Sequence, residues 1–214
     1  MKIIFTLTVS LFLIFCTSSI GDIFGGIEFP KGALSFADEV VSYDPTFSGY
    51  SAPTGPNFID PSAALGVPNY SGGGNGTGAV ALGAGGRIVL KFADNKLTGS
   101  DSSAPDLHIF EIGADVEDTF VEISADGIIW HSVGKVFGAT SSIDIDAFGF
   151  GTSSEFSYVR LMDDPNQGGV TTGYATGADI DAVGAISTIP EPSSTAMIGL
   201  VSGLGLFIRR KFML

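Results

Sequence analysis

Cysteine is nearly absent from this chain of 214 residues, in which Cys16 is the only one. It lies in an N-terminal segment that has the features of a cleavable export signal. The protein that remains after cleavage has no disulfide, no thiol nucleophile and no cysteine ligand for a metal. An exported domain of this kind depends on its hydrophobic core, and on any bound metal, for stability.

Basic residues are also scarce, because ten Lys and Arg stand against 23 Asp and Glu. Four of the ten lie at the ends of the chain, namely Lys2, Arg209, Arg210 and Lys211. The part between them has six basic residues against 23 acidic ones, a net charge of −17. Such a charge repels phosphate backbones and argues against nucleic acid as a partner. Divalent cations are natural counter-ions, although acidity that only keeps an extracellular protein soluble is the alternative.

Long hydrophobic runs are missing, but each end of the chain has a short one. The N-terminus has Lys2, an apolar run from Ile3 to Phe15, and the small, mostly polar stretch Cys16–Ser19. This layout predicts a signal peptide over residues 1–19, which signal peptidase removes near Ser19. A first transmembrane helix is the alternative, and the shortness of the run argues against it.

The C-terminal end combines a turn-forming tripeptide, an uncharged segment and a basic cluster. The tripeptide is Pro190-Glu191-Pro192, the uncharged segment Thr195–Ile208 has 14 residues, and Arg209-Arg210-Lys211 follows. At 1.5 Å per residue the segment forms about 21 Å of helix, whereas the hydrocarbon core is roughly 30 Å thick. Its arginines must therefore reach towards the membrane surface, or the bilayer must thin. The basic cluster is expected in the cytoplasm and the body outside it.

Convincing amphipathic helices are missing between the two ends, where a period of two recurs instead. In Arg87–Phe92, for example, Ile88, Leu90 and Phe92 share one face. The predicted strands are Ala37–Tyr43, Arg87–Phe92, Leu107–Ile112, Thr119–Ser124, Ile128–Val136, Ser142–Asp146, Phe156–Met162 and Asp179–Ile186. Short strands at fairly even spacing predict an all-β fold, a jelly-roll β-sandwich over residues 20–188.

A hairpin turn is predicted at Asp126-Gly127, because glycine accepts a positive φ. The returning strand carries Trp130. Trp130 and Val133 have opposite parity on it, so burying both requires a bulge or a change of exposed face.

The segment Val121–Gly134 resembles the hairpin of galactose-binding-like, or discoidin-type, jelly rolls through its S-x-D-G-x-x-W-x-x-V pattern. Tyr158–Leu161 is similar to a later strand of those domains, and Asp60–Asn69 and Asp179–Ile186 lie in suitable order. The resemblance covers roughly residues 37–186. It implies a jelly-roll fold, and often a structural calcium ion that joins an early loop to the last strand.

The tail over residues 189–214 resembles a PEP-CTERM sorting signal. The residues that carry the resemblance are Pro190, Glu191, Pro192, Arg209, Arg210 and Lys211. It implies export by a Gram-negative bacterium, retention in the inner membrane, and recognition by an exosortase that cuts near Pro-Glu-Pro. The short span favours a transient anchor, so the body is expected at the cell surface or in the extracellular matrix.

Candidate calcium ligands come from acidic residues on the last long strand. Asp179 and Asp181 stand two apart, so their carboxylates point to one face. With Asp163, Asp164 or the loop near Asp60 they supply oxygens for Ca²⁺, which takes six to eight. A solvated acidic strand edge is the alternative. Asp144–Gly149 is similar to Asp179–Gly184, and we interpret this as strand chemistry that both segments share.

No catalytic residue is assigned. His108 and His131 are the only histidines, and no spacing ties either to a nucleophile or to a G-x-S-x-G elbow. Acidic residues such as Glu111 and Glu117 are too abundant for a glycosidase pair to be inferred from them.

Aromatic residues near glycine-rich segments are candidates for stacking on a sugar, although filling the ends of the sandwich is the alternative for each. They are Tyr43, Phe47, Tyr50, Phe58, Tyr70, Phe148, Phe150 and Tyr174. The sequence therefore predicts a non-enzymatic exported protein that binds carbohydrate such as exopolysaccharide, through residues not yet assigned. The alternatives are a purely structural or adhesive matrix protein and, third, a secreted hydrolase.

Overall fold

The structure, a computed structural model, describes residues 21–71, 77–113, 117–137, 141–166 and 171–190. The predicted signal peptide, residues 1–19, lies outside the described residues, as do Glu191, Pro192, Arg209, Arg210 and Lys211 of the sorting signal. Within the described ranges no helix has the length and apolar character needed to cross a membrane.

These ranges form an all-β protein, which confirms the predicted class. The strands are β1 (Asp22–Phe24), β2 (Ile27–Phe29), β3 (Glu39–Asp44), β4 (Val80–Ala81), β5 (Arg87–Lys91), β6 (Asn95–Leu97), β7 (Leu107–Glu111), β8 (Thr119–Ser124), β9 (His131–Val136), β10 (Ser142–Ile143), β11 (Tyr158–Asp163), β12 (Asp179–Ala185) and β13 (Thr188–Pro190). Short 3-10 helices cover Gly32–Ser35, Pro61–Ala64 and Asp146–Phe148. The strands that the sequence did not predict have two or three residues, too few for a period of two to be detected.

Most strands belong to two antiparallel sheets, of order β10-β7-β12-β4 and β3-β5-β11-β8-β9. Two small sheets, β1-β2 and β13-β6, complete the fold. One hydrophobic core contains side chains from both larger sheets, such as Ile109 and Val183 from the first and Leu90 and Val159 from the second. The two sheets therefore enclose a shared core.

Alternation along the central strands determines what enters this core. Ile88, Leu90 and Phe92 are at most 1% exposed, as their shared face predicted. In the neighbouring strand β11, Val159 pairs with Leu90 on one side and with Ile123 of β8 on the other. Burying each such side chain contributes about 1.5–3 kcal/mol relative to leaving it exposed.

A second apolar cluster covers the outer side of β12. It consists of Phe29, Phe36 and Ala182, with the partly buried Phe24 and Phe110 packed against them. The Phe29 and Phe36 ring centroids are 4.7 Å apart. Strands β1 and β2 thus form a lid over the four-stranded sheet, in a segment where the sequence predicted no strand.

The hairpin after β8 differs from the prediction in its returning strand. β8 ends at Ser124 as predicted, but β9 begins at His131 rather than at Ile128, and Trp130 lies outside it. Gly127 has φ 72°, and the Asp126 carboxylate accepts hydrogen bonds from the amides of Ile128 and Ile129. These bonds hold residues 125–130 in a loop. The Trp130 ring lies 4.2 Å from the guanidinium carbon of Arg160.

A β-bulge is present in β9. Phe120 pairs with Lys135 and Glu122 with Ser132, so three steps along β9 match two along β8. Gly134 lies in the bulge with φ 97°, a conformation that glycine adopts without strain. Val133 beside it is 1% exposed.

Candidate functional site

Several loops meet at one end of the sheets and are joined by backbone hydrogen bonds. Thr54 and Gly55 donate to the carbonyls of Gly173 and Tyr174, at 2.9 Å each. Ala84 donates to Ser51, and Gly83 to Thr176. We call this surface the loop end; it comprises residues 45–58, 82–86, 163–166 and 171–178. Because the bonds connect loops that are distant in sequence, side chains on them occupy fixed relative positions.

Four carboxylates lie beneath the loop end, and we call them the loop-end acids: Glu111, Glu117, Asp163 and Asp179. Glu111 ends β7, Asp163 ends β11 and Asp179 begins β12. Asp163 accepts hydrogen bonds from the amides of Gly85 (2.8 Å) and Ala178 (2.9 Å). Glu111 Oε1 accepts one from the Glu117 amide at 3.1 Å.

Two carboxylate oxygens of this group lack a hydrogen-bond donor. Glu111 Oε2 and Asp179 Oδ1 are buried without a hydrogen-bond partner among the described residues. Burial raises the pKa of Asp179 to about 7, and the nearby charges of Glu117 and Asp163 add to the rise. Burial likewise raises the pKa of Glu111 far above its ordinary value. The group therefore holds protons tightly, or it requires a cation.

Tyr43 and Asp163 share this environment. Burial, and then the charge of Asp179, raises the pKa of Tyr43 to about 12, while its hydroxyl donates to the Ala81 carbonyl at 2.6 Å. Burial also raises the pKa of Asp163, although its two backbone donors act in the opposite direction. The hydrogen bonds at the loop-end acids therefore compensate only part of their negative charge.

Only part of the predicted calcium set lies in this group. Asp163 and Asp179 belong to it. Asp181 instead accepts from the Asn69 amide at 2.9 Å, and Asp60 caps a 3-10 helix by accepting from the amide (2.9 Å) and hydroxyl (2.7 Å) of Ser62. Asp164 forms an ion pair with Lys135 at 2.9 Å. Sequence reasoning gave no ligand role to Glu111, although its position at the end of a strand was visible.

A second acidic group lies elsewhere, and we call it the loop clamp: Asp106, Asp144 and Asp146. One ligand oxygen of each lies within 4.8 Å of the others. Asp106 accepts from the Ile145 amide (3.0 Å) and the Ser187 hydroxyl (2.6 Å), and Asp146 accepts from the amide of Ser100 (2.8 Å). These donors join the loops through the clamp, whose three oxygens are also close enough together to hold a metal ion. Asp146 lies outside β10, which ends at Ile143 and not at Asp146 as predicted.

Three of the predicted aromatic candidates are exposed at the loop end: Phe47 (44%), Tyr50 (55%) and Tyr174 (47%). The Arg87 guanidinium carbon lies 3.7 Å from the centre of the Phe47 ring and packs over that ring. Tyr174 meets the ring of Phe58 edge-on at 5.7 Å. The rings of Phe47 and Tyr174 are therefore each packed against a neighbouring side chain while remaining partly exposed.

The remaining aromatic candidates are placed differently. Phe58 is 8% exposed, and Tyr70 packs beside it in a small apolar cluster. Phe150 packs against Phe156, with ring centroids 5.1 Å apart. Phe148 is 47% exposed but lies against Gly134 of β9. The sequence could not separate these two kinds of aromatic residue.

The two histidines pack against aromatic rings. His108 Nδ1 is 2.6 Å from the Ser142 hydroxyl, its ring meets Phe110 at 4.4 Å, and burial lowers its pKa to about 4. His131 packs on Phe150 with ring centroids 5.1 Å apart. His108 is therefore neutral at physiological pH.

Comparison with known proteins yields little. No protein-family model matches the chain, and no curated protein matches it. Among solved structures, the C-terminal domain of a chitobiase from Bacteroides fragilis is similar over 50% of this chain and 64% of that one, with 14% identity and a TM-score of 0.34. The match thus spans less than two thirds of that domain. A similarity of this size supports no conclusion on function.

Proposed function

We propose that this protein is an exported, non-enzymatic component of the cell envelope or extracellular matrix that binds carbohydrate. In this proposal the body is a jelly-roll β-sandwich of the galactose-binding-like kind, and the loop end is its binding surface. The observation that carries it is the group of exposed rings of Phe47, Tyr50 and Tyr174 on loops joined by backbone hydrogen bonds. Rigid aromatic rings with polar neighbours bind ligands at a small cost in conformational entropy.

Binding to polysaccharides tests the proposal. The processed protein, recovered from the producing cells, is applied to a glycan array and to insoluble polysaccharides, with and without calcium. Y50A combined with Y174A is expected to reduce binding at least tenfold, because the packing of sugar rings against these two side chains is lost with them. F148A, which removes a ring of similar exposure elsewhere, is the matched control and is expected to bind normally. Binding to no glycan in either condition would favour the structural or adhesive alternative.

The sorting role is proposed from the tail. Export through the signal peptide, inner-membrane retention with the C-terminus in the cytoplasm, and recognition by an exosortase account for Pro190-Glu191-Pro192 before the short apolar segment and Arg209-Arg210-Lys211. Because Pro190 is part of β13, the cleanest variant is E191A/P192A, which leaves β13 unchanged. Uncleaved protein is expected to accumulate in the inner membrane. Normal mature termini by mass spectrometry of this variant would contradict the sorting assignment.

We also propose a structural Ca²⁺ at the paired ends of β7 and β12, with Glu111 and Asp179 as ligands. The orphaned buried oxygens of Glu111 and Asp179 support it, since a cation would compensate both. The ion would join the ends of β7 and β12 beneath the aromatic loops.

Thermal unfolding with calcium and with a chelator tests this site. Calcium is expected to raise the melting temperature of the wild-type protein, and D179N is expected to remove the increase. D181N, two residues away on the same strand, is the matched control and is expected to keep the increase on a lower baseline. If D144N removes the increase instead, the ion binds at the loop clamp; if chelation changes nothing, the calcium proposal is wrong.

A further inference from the structure

Arg87 is the one partly buried cation of the described ranges that has no carboxylate partner. These ranges contain six basic residues. Four of them form ion pairs with carboxylates: Lys91, Lys96, Lys135 and Arg160. Lys31 is exposed, whereas Arg87 is partly buried at the start of β5. In a body with so many acidic residues, an arginine without a carboxylate partner marks this position as different from the other partly buried cations.

The neighbours of Arg87 on the sheet do not neutralise its charge. Ile88 next to it points into the core, so the Arg87 side chain lies on the outer face of the five-stranded sheet. Its partners there are Asp44 of β3 and Met162 of β11. Asp44 Oδ1 instead accepts hydrogen bonds from the amide and the hydroxyl of Thr46, at 3.1 Å each. Met162 carries no charge. The local carboxylate is therefore used to hold its own loop.

Packing, and no side-chain hydrogen bond within the described residues, positions the guanidinium of Arg87. Its Nε is buried without a hydrogen-bond partner there. The guanidinium carbon packs over the ring of Phe47 at 3.7 Å from its centre. An aromatic ring attracts a cation but supplies no carbonyl or carboxylate oxygen to its N–H groups. The charge of Arg87 therefore remains available to an anionic ligand.

The loop that carries Phe47 is attached to the turn that precedes Arg87. The Ser48 hydroxyl donates to the Gly85 carbonyl at 2.7 Å. The two backbones also approach closely, because a Cβ on Gly85, where φ is 63°, would lie 2.7 Å from the Cβ of Ser48. The aromatic ring and the guanidinium thus occupy fixed relative positions at the loop end.

We infer that Arg87 and Phe47 form a subsite of the loop end for an acidic sugar unit, a hexuronate or another sugar with a carboxylate. This inference rests on the carbohydrate binding proposed above and specifies the ligand class of that site. A hexuronate has an apolar ring face beside its carboxylate. Its ring packs against the exposed part of Phe47, while the guanidinium binds the carboxylate through two parallel N–H···O bonds. Because the acidic body repels long polyanions, the expected polymer carries acidic units among neutral ones.

One oligosaccharide in two chemical forms tests the subsite. The processed protein is titrated with a short pectic oligosaccharide that has few free carboxylates, and with the same sample after full methyl esterification, which removes the charge and keeps the sugar rings. The acid form is expected to bind about tenfold tighter than the ester, because a charge-assisted bidentate contact is lost with the carboxylate. A sulfated oligosaccharide of the same length is the third ligand.

Three results overturn the inference: equal binding of the acid and the ester, binding of neither, and tighter binding of the sulfated ligand. None of them contradicts carbohydrate binding by the loop end, which the glycan array tests separately. Binding to no glycan on that array overturns the proposed function as well.

Variants locate the contact. R87Q is expected to bind the acid and the ester equally. K31Q, which removes one exposed positive charge elsewhere, is the matched control and is expected to keep the wild-type preference. R87K retains the charge but not the planar pair of donors, so a smaller preference than that of the wild type is expected. Thermal unfolding checks that each variant is folded, and R87K decides the matter if R87Q is not.

A glutamate peptide without sugar rings is the control ligand. It is expected to compete weakly with the acid form, because it lacks the ring that packs against Phe47. Full competition by the peptide would show that Arg87 binds carboxylates of any polymer, and the assignment to an acidic sugar would be wrong. A folded R87Q or R87K protein with the full wild-type preference would show that the subsite lies elsewhere.

Discussion

Two aspartates of this protein show how hydrogen-bond donors determine whether a carboxylate removed from solvent is stabilised. Asp106 is wholly buried, yet both of its oxygens accept hydrogen bonds, from Ile145 and from Ser187. Asp179 is half-buried, but its Oδ1 lacks a partner among the described residues. Burial raises the pKa of both carboxyls, and only for Asp106 do donors oppose the rise. Asp106 is therefore a structural residue, whereas Asp179 is a candidate ligand.

The replacement of Asp106 tests this difference. D106N keeps the size of the side chain but turns one acceptor oxygen into a donor, which leaves either Ile145 or Ser187 without its acceptor. The free energy of unfolding is expected to fall by about 1–3 kcal/mol, since a buried donor is left unsatisfied. Chemical denaturation measures the loss. E28Q, an exposed carboxylate replaced in the same way, is expected to stay within about 0.5 kcal/mol of wild type.

At the scale of elements, sequence patterns predicted the long central strands and failed where aspartate side chains bind the backbone. β8 has the predicted bounds because Val121 and Ile123 alternate with partly exposed residues. β9 starts late because Asp126 binds the Ile128 and Ile129 amides. Asp144 does the same to the amides of Asp146 and Ala147 and ends β10 early. Such local bonds compete with strand pairing, and apolar periodicity does not reveal them.

The similarity between Asp144–Gly149 and Asp179–Gly184 illustrates the same point. The second segment lies in β12, but the first forms a turn and a 3-10 helix, so our interpretation of shared strand chemistry was wrong for it. β12 is extended because β7 pairs with it along its length. Tertiary pairing therefore decides between two local structures that nearly the same sequence allows.

The hairpin loop offers a test at this scale. D126A removes the acceptor of the Ile128 and Ile129 amides, so hydrogen exchange at these two amides is expected to accelerate. The core amides of Val121 and Ile123 are expected to exchange as before, because β8 pairs independently with β11. D126N, which retains one acceptor oxygen, is expected to give intermediate protection. Unchanged exchange at Ile128 in D126A would show that the loop does not depend on this carboxylate.

For the whole molecule, sequence reasoning found only part of the candidate site, because its members are far apart in the chain. Glu111, Asp163 and Asp179 come from three strands, and only the pairing of β12 with β7 brings two of them together. Asp163 and Asp179 were predicted as ligands from their strand context and the family resemblance. Asp181 was predicted on the same grounds and Asp60 from its place in an early loop, and both accept hydrogen bonds from backbone amides instead.

The charge accumulated there predicts an unusual pH dependence of stability. The pKa of Asp179 is about 7 in the folded state against an ordinary 3.8, so between these values the folded protein holds a proton that the unfolded chain has released. In a chelator, the free energy of unfolding is expected to fall as pH rises from about 4 to about 7, since each pKa unit corresponds to about 1.4 kcal/mol. D179N is expected to lose this fall, which denaturation at several pH values measures.

His108 provides the opposing control for that experiment. Burial lowers its pKa to about 4 from 6.5. Between these pH values the imidazole is protonated in the unfolded chain and neutral in the folded protein. Its contribution to stability is therefore lost as pH falls from about 6.5 to about 4. H108N is expected to remove this acid loss and leave the fall at rising pH in place. If D179N follows the wild-type curve, the carboxyl of Asp179 ionises normally.

Strand β13 has a mechanical consequence under the proposed anchoring of the body by its tail. Pro190 pairs with Asn95 in β6 and directly precedes the proposed sorting tail, so a pull on that tail acts first on β13. The load acts at the Pro190 end of the three residue pairs that join β13 to β6. A side-chain hydrogen bond from Asn95 to Thr188, at 2.7 Å, also joins β6 to β13. A load applied beyond residue 190 is therefore borne first by β13 and by β6, the strand that pairs with it.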